Sequence, residues 1–298
     1  MNGSATLLQR LWRGRWGYAF IAPAMGLLIL VHLYPILRVF QLSLSYYSVS
    51  EGTTAWAGLR NYAVTFQNEL FYVALRNTVV YTLIVVPGAL GLALVLAYLI
   101  HPLPGRVQVF FKSAFYLPGV VSSVVLALVW AWLFNADFGL LNYLLGLVGV
   151  DPVMWLGDRR VALLSVALMT VASGLGVPLL MLLAAMGQIP AHYYEAASLD
   201  GASPLKRFWH ITLPLLGPTL LYLVVVMTIG SFQVFDAVYL MTNGGPSYAT
   251  TTLVFMIYES AFRTYDFGAA CAQAVVLFIL ILILALVQFK WLSGGEAY

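Results

Sequence analysis

The chain has 298 residues, of which 62% are hydrophobic and only 8% are charged. Soluble domains carry about 25% charged residues, so this composition excludes a soluble globular protein and indicates a membrane protein. The single cysteine excludes a disulfide framework and a cysteine-based metal site, and the net charge of +3 is too small to indicate a nucleic-acid partner.

Six apolar runs are long enough to cross a bilayer, which takes about 20 residues. An even number of spans places the two ends of the membrane domain on the same side. We therefore predict an all-α polytopic membrane protein, with a membrane domain over residues 17–298 that follows a cytoplasmic segment of residues 1–16. The predicted spans cover residues 17–40, 78–100, 112–134, 161–186, 211–235 and 268–291.

The distribution of lysine and arginine predicts the orientation of these spans. If the N-terminal segment is inside, the cytoplasmic side carries eight of the basic residues: Arg10, Arg13, Arg15, Arg106, Lys112, Lys206, Arg207 and Lys290. The outer side carries the other six: Arg38, Arg60, Arg76, Arg159, Arg160 and Arg263. The cytoplasmic segments are also the shorter ones, so their density of positive charge is higher, as the positive-inside rule requires. The prediction is N-in, C-in.

The longest polar interruption on the predicted cytoplasmic side lies between spans four and five, over residues 190–212. It predicts two short helices, the first from about Ala191 to Leu199. The second follows Ser203, an N-cap residue with proline at the first helical position behind it. Gly201 between them can adopt the left-handed conformation that ends a helix. Two helices joined by a tight turn would form a rigid projection, suited to passing force to or from a cytoplasmic partner.

Several kinds of chemistry are missing from the sequence. No G-x-x-x-x-G-K-[ST] segment occurs, so the chain has no P-loop for nucleotide phosphates. A membrane-bound enzyme would need a catalytic constellation, and no Ser/His/Asp grouping or carboxylate pair lies at membrane depth. A secondary transporter usually keeps an ionisable residue in mid-membrane, where the candidates are His32, Arg38 and Asp236. The last two fall at span ends. A passive channel would need no cytoplasmic projection.

A few polar side chains leave two interpretations open. Ser231, Gln233 and Asp236, near the outer end of span five, supply the hydroxyl, amide and carboxylate groups that a polyol would need. Hydrogen bonding between helices would explain them equally well. Glu195 has no basic residue three or four positions away apart from His192, so it is either a solvated charge or an acid that faces a partner protein.

The polar interruption resembles the EAA motif of binding-protein-dependent ABC importer permeases. The match runs from Glu195 to Gly201 and continues through Pro214 and Pro218. Other segments are similar to the sugar-type branch of that family, which includes the maltose, lactose and glycerol-3-phosphate permease subunits. These segments are residues 58–62, 77–78, 138–142, 242–246 and 267–268.

The resemblance implies a function and a set of partners. In this family the EAA loop forms coupling helices that dock in a cleft of a separate cytoplasmic ATPase. The chain would hold no cofactor, because ATP and Mg would be bound by that ATPase, and it would not itself be an enzyme. The implied partners are a second homologous permease in a heterodimer, two ABC ATPase subunits, an extracytoplasmic solute-binding protein and membrane lipid, without nucleic acid. The complex would import a mono- or oligosaccharide across a bacterial or archaeal cytoplasmic membrane. Import of glycerol-3-phosphate or another polyol is the alternative, ahead of secondary transport.

The resemblance also assigns roles to residues. The predicted ATPase-coupling residues are Tyr194, Glu195, Ala196, Ala197, Ser198, Asp200 and Gly201. The predicted substrate-path residues are Gly119, Ser173, Gly174, Ser231, Gln233 and Asp236. The chain departs from the family near this path. Ala172 stands where members often carry tryptophan, and Gly119 and Ser231 stand where the maltose subunit has tyrosine and asparagine. These departures argue against maltose itself and leave sugar transport standing.

Overall fold

The computed structural model describes residues 15–48 and 53–292, so most of the predicted N-terminal segment lies outside the described residues. Two short strands, β1 (Ser45–Ser48) and β2 (Thr53–Trp56), pair antiparallel, with Ser45 opposite Trp56. This hairpin corrects the purely helical prediction. Its strands are rich in serine, tyrosine and threonine. Tyrosine and threonine favour strands over helices.

The rest of the described chain is mostly helical. The helices are α1 (Arg15–Leu28), α2 (Tyr34–Ser43), α3 (Arg60–Gln67), α4 (Glu69–Ile100), α5 (Gly105–Val120), α6 (Ser123–Leu133), α7 (Leu140–Leu147), α8 (Ala162–Ser173), α9 (Gly176–Gly187), α10 (Ala191–Leu199), α11 (Pro204–Arg207), α12 (Leu213–Leu215), α13 (Gly217–Phe232), α14 (Asp236–Met241), α15 (Leu253–Tyr258) and α16 (Phe267–Leu292). Single π-helical turns, Ile29–Leu33, Phe208–Thr212 and Glu259–Arg263, follow α1, α11 and α15.

Within residues 15–48 and 53–292, three helical stretches are long and apolar enough to cross a membrane, and up to six are if each bent pair counts as one span. The unbent stretches are Trp16–Ser43, α4 and α16. The bent pairs are α5 with α6, at 98°, α8 with α9, at 45°, and Pro204–Leu215 with α13, at 67°. The first bend has a local cause, since Pro118 lies in the last turn of α5 and Val121 after it is extended. Predicted spans three, four and five each fall on one bent pair.

Helix α4 lies at the centre of the bundle and contacts α8, α9 and α13. Asn68 caps its first turn by accepting a hydrogen bond from the backbone N–H of Leu70 at 2.9 Å. Alanines at four-residue spacing, Ala89, Ala93 and Ala97, are buried in one cluster with the leucines of α9. Small residues on one face let helices approach closely in a membrane, and the neighbours therefore pack tightly along α4.

The first helical stretch reaches the rest of the chain mainly through its second half. Helix α2 packs along α16, where the rings of Phe40 and Phe278 meet edge to face at 6.3 Å. None of the most apolar window of Trp16–Ser43 is buried.

The connections alternate between two ends of the bundle. We call one the long-loop end, which carries residues 44–68, 134–161 and 233–266, and the other the short-loop end, which carries residues 101–104 and 188–212. The predicted path residues lie toward the long-loop end, and the predicted coupling residues lie at the short-loop end.

Candidate functional site

At the short-loop end, α10 and α11 form a helical pair around a left-handed turn. Gly201 has φ +73°, and the Ala202 N–H donates to the carbonyl of Ala197 at 2.9 Å, which closes the end of α10. A Cβ on Gly201 would meet no heavy atom within 4 Å. The backbone conformation, rather than a lack of space, is therefore what favours glycine here.

Two of the predicted coupling residues hold this pair together through side-chain hydrogen bonds. Ser198 donates its hydroxyl to the Tyr194 carbonyl at 2.7 Å and accepts from Arg207 Nη1 at 2.7 Å. The Tyr194 hydroxyl hydrogen-bonds Thr212 Oγ1 at 2.9 Å, and Thr212 is buried. These contacts tie α10 to α11 and to the π-helical turn that leads into the bundle.

The other predicted coupling residues lie on the outside of the pair. Glu195, Ala196, Asp200 and Gly201 are exposed, and Ala197 is half-buried. Neither carboxylate forms an ion pair within the described part of the chain. Two leucines beside them, Leu199 and Leu205, are 90% and 64% exposed. A surface that combines bare leucines with unpaired carboxylates is typical of a protein-binding site.

The π-helical turn Phe208–Thr212, which continues α11, touches the end of α4. The rings of Tyr98 and Phe208 meet at 4.9 Å. A cavity of about 350 Å³ lies between the pair and the bundle, lined among others by His101, Met186 and Tyr194. A displacement of the pair would therefore act directly on the central helix.

Toward the long-loop end, a cavity of about 460 Å³ opens where α8 breaks into α9 and where α13 ends. Five of the six predicted path residues line it: Ser173, Gly174, Ser231, Gln233 and Asp236. The sixth, Gly119, does not line it. Gly119 is exposed near the end of α5, and a Cβ there would meet no heavy atom within 4 Å. We call this space the path cavity.

Three polar residues of the path cavity were not among the predicted path residues. Ser123 donates its hydroxyl to Asp236 Oδ2 at 2.7 Å, which joins the first residues of α6 and α14. The Tyr81 hydroxyl donates to Thr170 Oγ1 at 2.8 Å and joins α4 to α8. Each lies in or at the edge of an apolar run, and only the packing of the helices brings it to the cavity.

Two aromatic side chains of the described residues, Tyr81 and Phe235, line the path cavity. Phe235 lines it and stacks on Tyr239 with ring centroids 5.3 Å apart, and it contacts Tyr258 at 5.0 Å. Hydrogen bonding with Tyr239 raises the pKa of Tyr258. Among the described residues, the lining offers hydroxyls, an amide and one carboxylate beside aromatic faces, without a lysine, arginine or histidine. Such groups can bind a polyhydroxylated neutral molecule.

No group of three His, Cys, Asp or Glu side chains placed to hold a metal ion occurs among residues 15–48 and 53–292.

Asparagine side chains fix the loops around this cavity. Asn77 Nδ2 donates to the carbonyls of Tyr248 and Thr251, both at 2.9 Å, and so fastens the loop after α14 to α4. Within that loop Gly244 has φ +80°, and a Cβ there would lie 2.5 Å from Phe255 Cε1. Glycine is therefore required by both conformation and space.

Two further asparagines do the same elsewhere at the long-loop end. Asn142 donates to the carbonyls of Ala136 and Val153 and accepts from the Val153 N–H and from Trp155 Nε1, over 2.9–3.1 Å. Asn61 Nδ2 donates to the carbonyl of Ser43, at the end of α2, and to the carbonyl of Ser45, at the start of β1, both at 2.9 Å. Some of the segments that carry the family resemblance therefore order these loops through asparagine side chains that hydrogen-bond the loop residues. We call these asparagines clamps.

Comparison with known proteins gives a consistent result. Residues 89–294 match the family described as the binding-protein-dependent transport system inner membrane component. The probable ABC transporter permease protein YurN of Bacillus subtilis is 37% identical over 283 residues, which are 94% of this chain and 96% of that protein. The sulfoquinovosyl glycerol transport system permease protein SmoG of Agrobacterium fabrum is 36% identical over 87% of this chain and 84% of its own length.

A solved structure shares the fold. It is a bacterial alginate ABC transporter in complex with an alginate pentasaccharide-bound periplasmic protein. The TM-score is 0.83 over 96% of each chain, at 22% sequence identity. The arrangement of bent and straight helices is therefore that of a known transporter chain.

Proposed function

The chain belongs to the family of binding-protein-dependent transport system inner membrane components and is a permease subunit of an ABC importer, and we propose that its solute is a carbohydrate. The single observation that carries the choice of solute is the path cavity. Hydroxyl and amide groups of Ser173, Ser231 and Gln233 line it together with the aromatic ring of Phe235. The sulfoquinovosyl glycerol in the name of the SmoG relative is a sugar glycoside of glycerol, which supports the same class of solute.

For the membrane topology we propose six spans, with each bent pair of helices crossing the bilayer once. The short-loop end would be cytoplasmic and both ends of the membrane domain would face the cytoplasm, in a bacterial or archaeal cytoplasmic membrane. The density of positive charge on the short segments supports this orientation. Residues 17–298 would form the membrane domain.

The α10–α11 pair would couple the spans to a separate ATPase. Its uncovered leucines and carboxylates around Glu195 and Asp200 would be covered by that subunit, which would bind ATP and Mg. Tyr194 and Ser198 would keep the pair rigid, so that closure of the ATPase moves the pair as one body. Its contact with α4, through Tyr98, would pass the movement to the spans.

The bends supply the sites at which the spans could rearrange. The path cavity lies at the break between α8 and α9 and at the end of α13. Movement of the halves of these spans about their bends would open the cavity to one side of the membrane and then to the other. A second homologous permease would supply the facing wall of the path, and a solute-binding protein would deliver the solute to the long-loop end.

The principal alternative solute is glycerol-3-phosphate or another polyol. A polyol would suit the hydroxyl and amide groups of the path cavity, as a sugar would. A phosphate ester would suit it less well, because Asp236 is the charged group of its lining and would repel a phosphate.

Uptake by the reconstituted complex tests this proposal. The chain is purified from its native membrane together with its bound partners and placed in liposomes, and uptake of labelled glucosides, arabinosides and glycerol-3-phosphate is measured with and without ATP. We expect ATP-dependent uptake of a neutral glycoside that needs the solute-binding protein. Uptake that persists without ATP would contradict the coupling, and uptake of glycerol-3-phosphate alone would contradict the choice of solute.

A further inference from the structure

A second cavity, of about 610 Å³, lies at the long-loop end and is rimmed by three arginines. Arg76 belongs to the second turn of α4, and Arg159 and Arg160 precede α8. Asn77 and Tyr248 complete the polar part of the rim. We call this space the arginine cavity. It is lined by none of the residues that line the path cavity.

The three guanidinium groups have no acidic partner in the described chain. The ion pair found there joins Arg263 to Glu259, which lie elsewhere. Asp158 is in the same turn as two of the arginines, but its Oδ1 accepts from the backbone N–H of Arg160 at 2.8 Å. The carboxylate therefore orders the turn and leaves the arginine side chains unpaired. Three arginines that line one cavity without an acidic partner favour an anion.

Below the arginines, the wall of the same cavity is aliphatic. On α4, Arg76 is followed at four-residue spacing by Val80 and Ile84, and all three line the cavity. On α8, Leu164 lies one turn after Arg160 and is 51% exposed. Residues four apart lie on the same face of a helix. Helix α4 therefore presents a cation first and aliphatic surface next, in the order in which a membrane passes from headgroups to acyl chains, and on the other side of the cavity Leu164 of α8 follows the turn that carries Arg160.

We propose that the arginine cavity binds an anionic phospholipid of the outer leaflet. The guanidinium groups would hold the headgroup phosphate, for which arginine offers paired donors. The stripe through Val80, Ile84 and Leu164 would hold the start of an acyl chain. An acidic protein surface would satisfy only the rim and would leave this aliphatic wall uncovered. The choice of leaflet rests on the topology proposed above, whereas the site itself does not.

Lipid titration of the purified complex tests this inference. The complex is stripped of lipid in detergent, and phosphatidylglycerol or phosphatidylcholine is added back while native mass spectrometry counts the bound lipids. Each arginine removed should weaken phosphatidylglycerol binding about fivefold, so the triple change R76Q, R159Q and R160Q should weaken it about 100-fold. Phosphatidylcholine binding should not change. Inorganic phosphate at the same concentration should not displace the lipid, because it lacks the acyl part.

Two control variants make the result interpretable. Arg60→Gln removes an exposed arginine of the same end that does not line the cavity, and it should leave lipid binding unchanged. Replacing all three rim arginines by lysine keeps the charge and loses only the paired donors, so it should weaken phosphatidylglycerol binding less than the glutamine triple change does. Unchanged phosphatidylglycerol binding in the single glutamine variants would overturn the proposal. So would a loss of affinity for the solute-binding protein without any loss of lipid. Co-purification of the ATPase is read separately and reports only on the proposed function.

Discussion

The two ends of this molecule are built differently. At the long-loop end, Asn77 hydrogen-bonds the backbone of a loop distant in the sequence, and Asn142 hydrogen-bonds the two sides of its own connection, so that the chain itself holds these loops. At the short-loop end, the α10–α11 pair is held by Ser198, Tyr194 and Arg207 and leaves Leu199 bare. One end is thus ordered by its own contacts, and the other presents a surface for another protein to cover.

The difference indicates where stability and where function should be most sensitive to substitution. Substitution of an asparagine clamp at the long-loop end should unfold a loop. It should lower the stability of the protein more strongly than it lowers transport. A substitution on the outside of the α10–α11 pair should leave the chain folded. It should disturb the transmission of movement between the chain and its partner. Four variants separate these two outcomes.

Asn142→Ala should have the largest effect, on stability. The substitution leaves the half-buried Val153 N–H and Trp155 Nε1 without their acceptor, and donors that lose their partners away from water cost about 1–3 kcal/mol each. We expect a loss of about 3 kcal/mol, measured as a lower unfolding midpoint of the purified complex. Asn68→Ala is the matched control, because it removes one exposed hydrogen bond and should cost about 1 kcal/mol. Equal effects of the two variants would contradict the clamp.

Gly201→Asp should lower ATP-driven uptake about 10- to 100-fold, the range of a lost coupling free energy, while the chain stays folded in the membrane. The matched control is Gly149→Asp at the long-loop end. Gly149 has φ +76°, close to the +73° of Gly201, and at both a Cβ would meet no heavy atom within 4 Å. The backbone strain is therefore shared, and only the position differs. A control variant that loses uptake as fully would show that strain, rather than contact with an ATPase, is the cause.

Gln233→Ala should change which solute is transported, by about fivefold in the ratio of KM values for two sugars. The amide lines the path cavity and is exposed, so its loss removes a hydrogen bond of about 1 kcal/mol without disturbing the fold. Gln188→Ala at the short-loop end is the control. An unchanged KM ratio in Gln233→Ala would indicate that this residue contributes to packing and not to the selection of solute.

Ser198→Ala should have the smallest effect. It removes the acceptor of Arg207 and loosens α10 against α11, and we expect a stability loss of about 1 kcal/mol. Uptake should fall less than in Gly201→Asp, because the outer surface of the pair is intact. Hydrogen exchange of the α10 amides measures the loosening directly, and unchanged protection would contradict the role given to Ser198.

Parts of this architecture could be predicted from the sequence because they depend on local patterns. Long apolar runs locate the helices, and Ser203 before a proline, with Gly201 ahead of it, predicts the turn between α10 and α11. Glycine residues such as Gly174 mark the breaks in spans four and five. The predicted path residues of these spans lie near those breaks, so the sequence alone could place them in one group.

Other parts depend on packing between distant segments, which a single sequence does not reveal. Tyr81 and Ser123 reach the path cavity only because α4 and α6 turn those faces toward it. Gly119 was placed on the path by resemblance, yet it lies near the end of α5, away from the cavity. The hairpin at residues 45–56 was missed because its strands are short and follow a helix directly. The role of Asn142 as a clamp became visible only with its four contacts.

The most direct test of the central claim is affinity purification of the chain from its native membrane in mild detergent, with every co-purifying protein identified. We expect a second permease and a P-loop ATPase with the unchanged chain and with Gly149→Asp, and loss of the ATPase with Gly201→Asp and with Glu195→Ala. A chain that is recovered alone, or that keeps its ATPase in all of these variants, would contradict the proposal that the α10–α11 pair is the surface through which ATP hydrolysis drives transport.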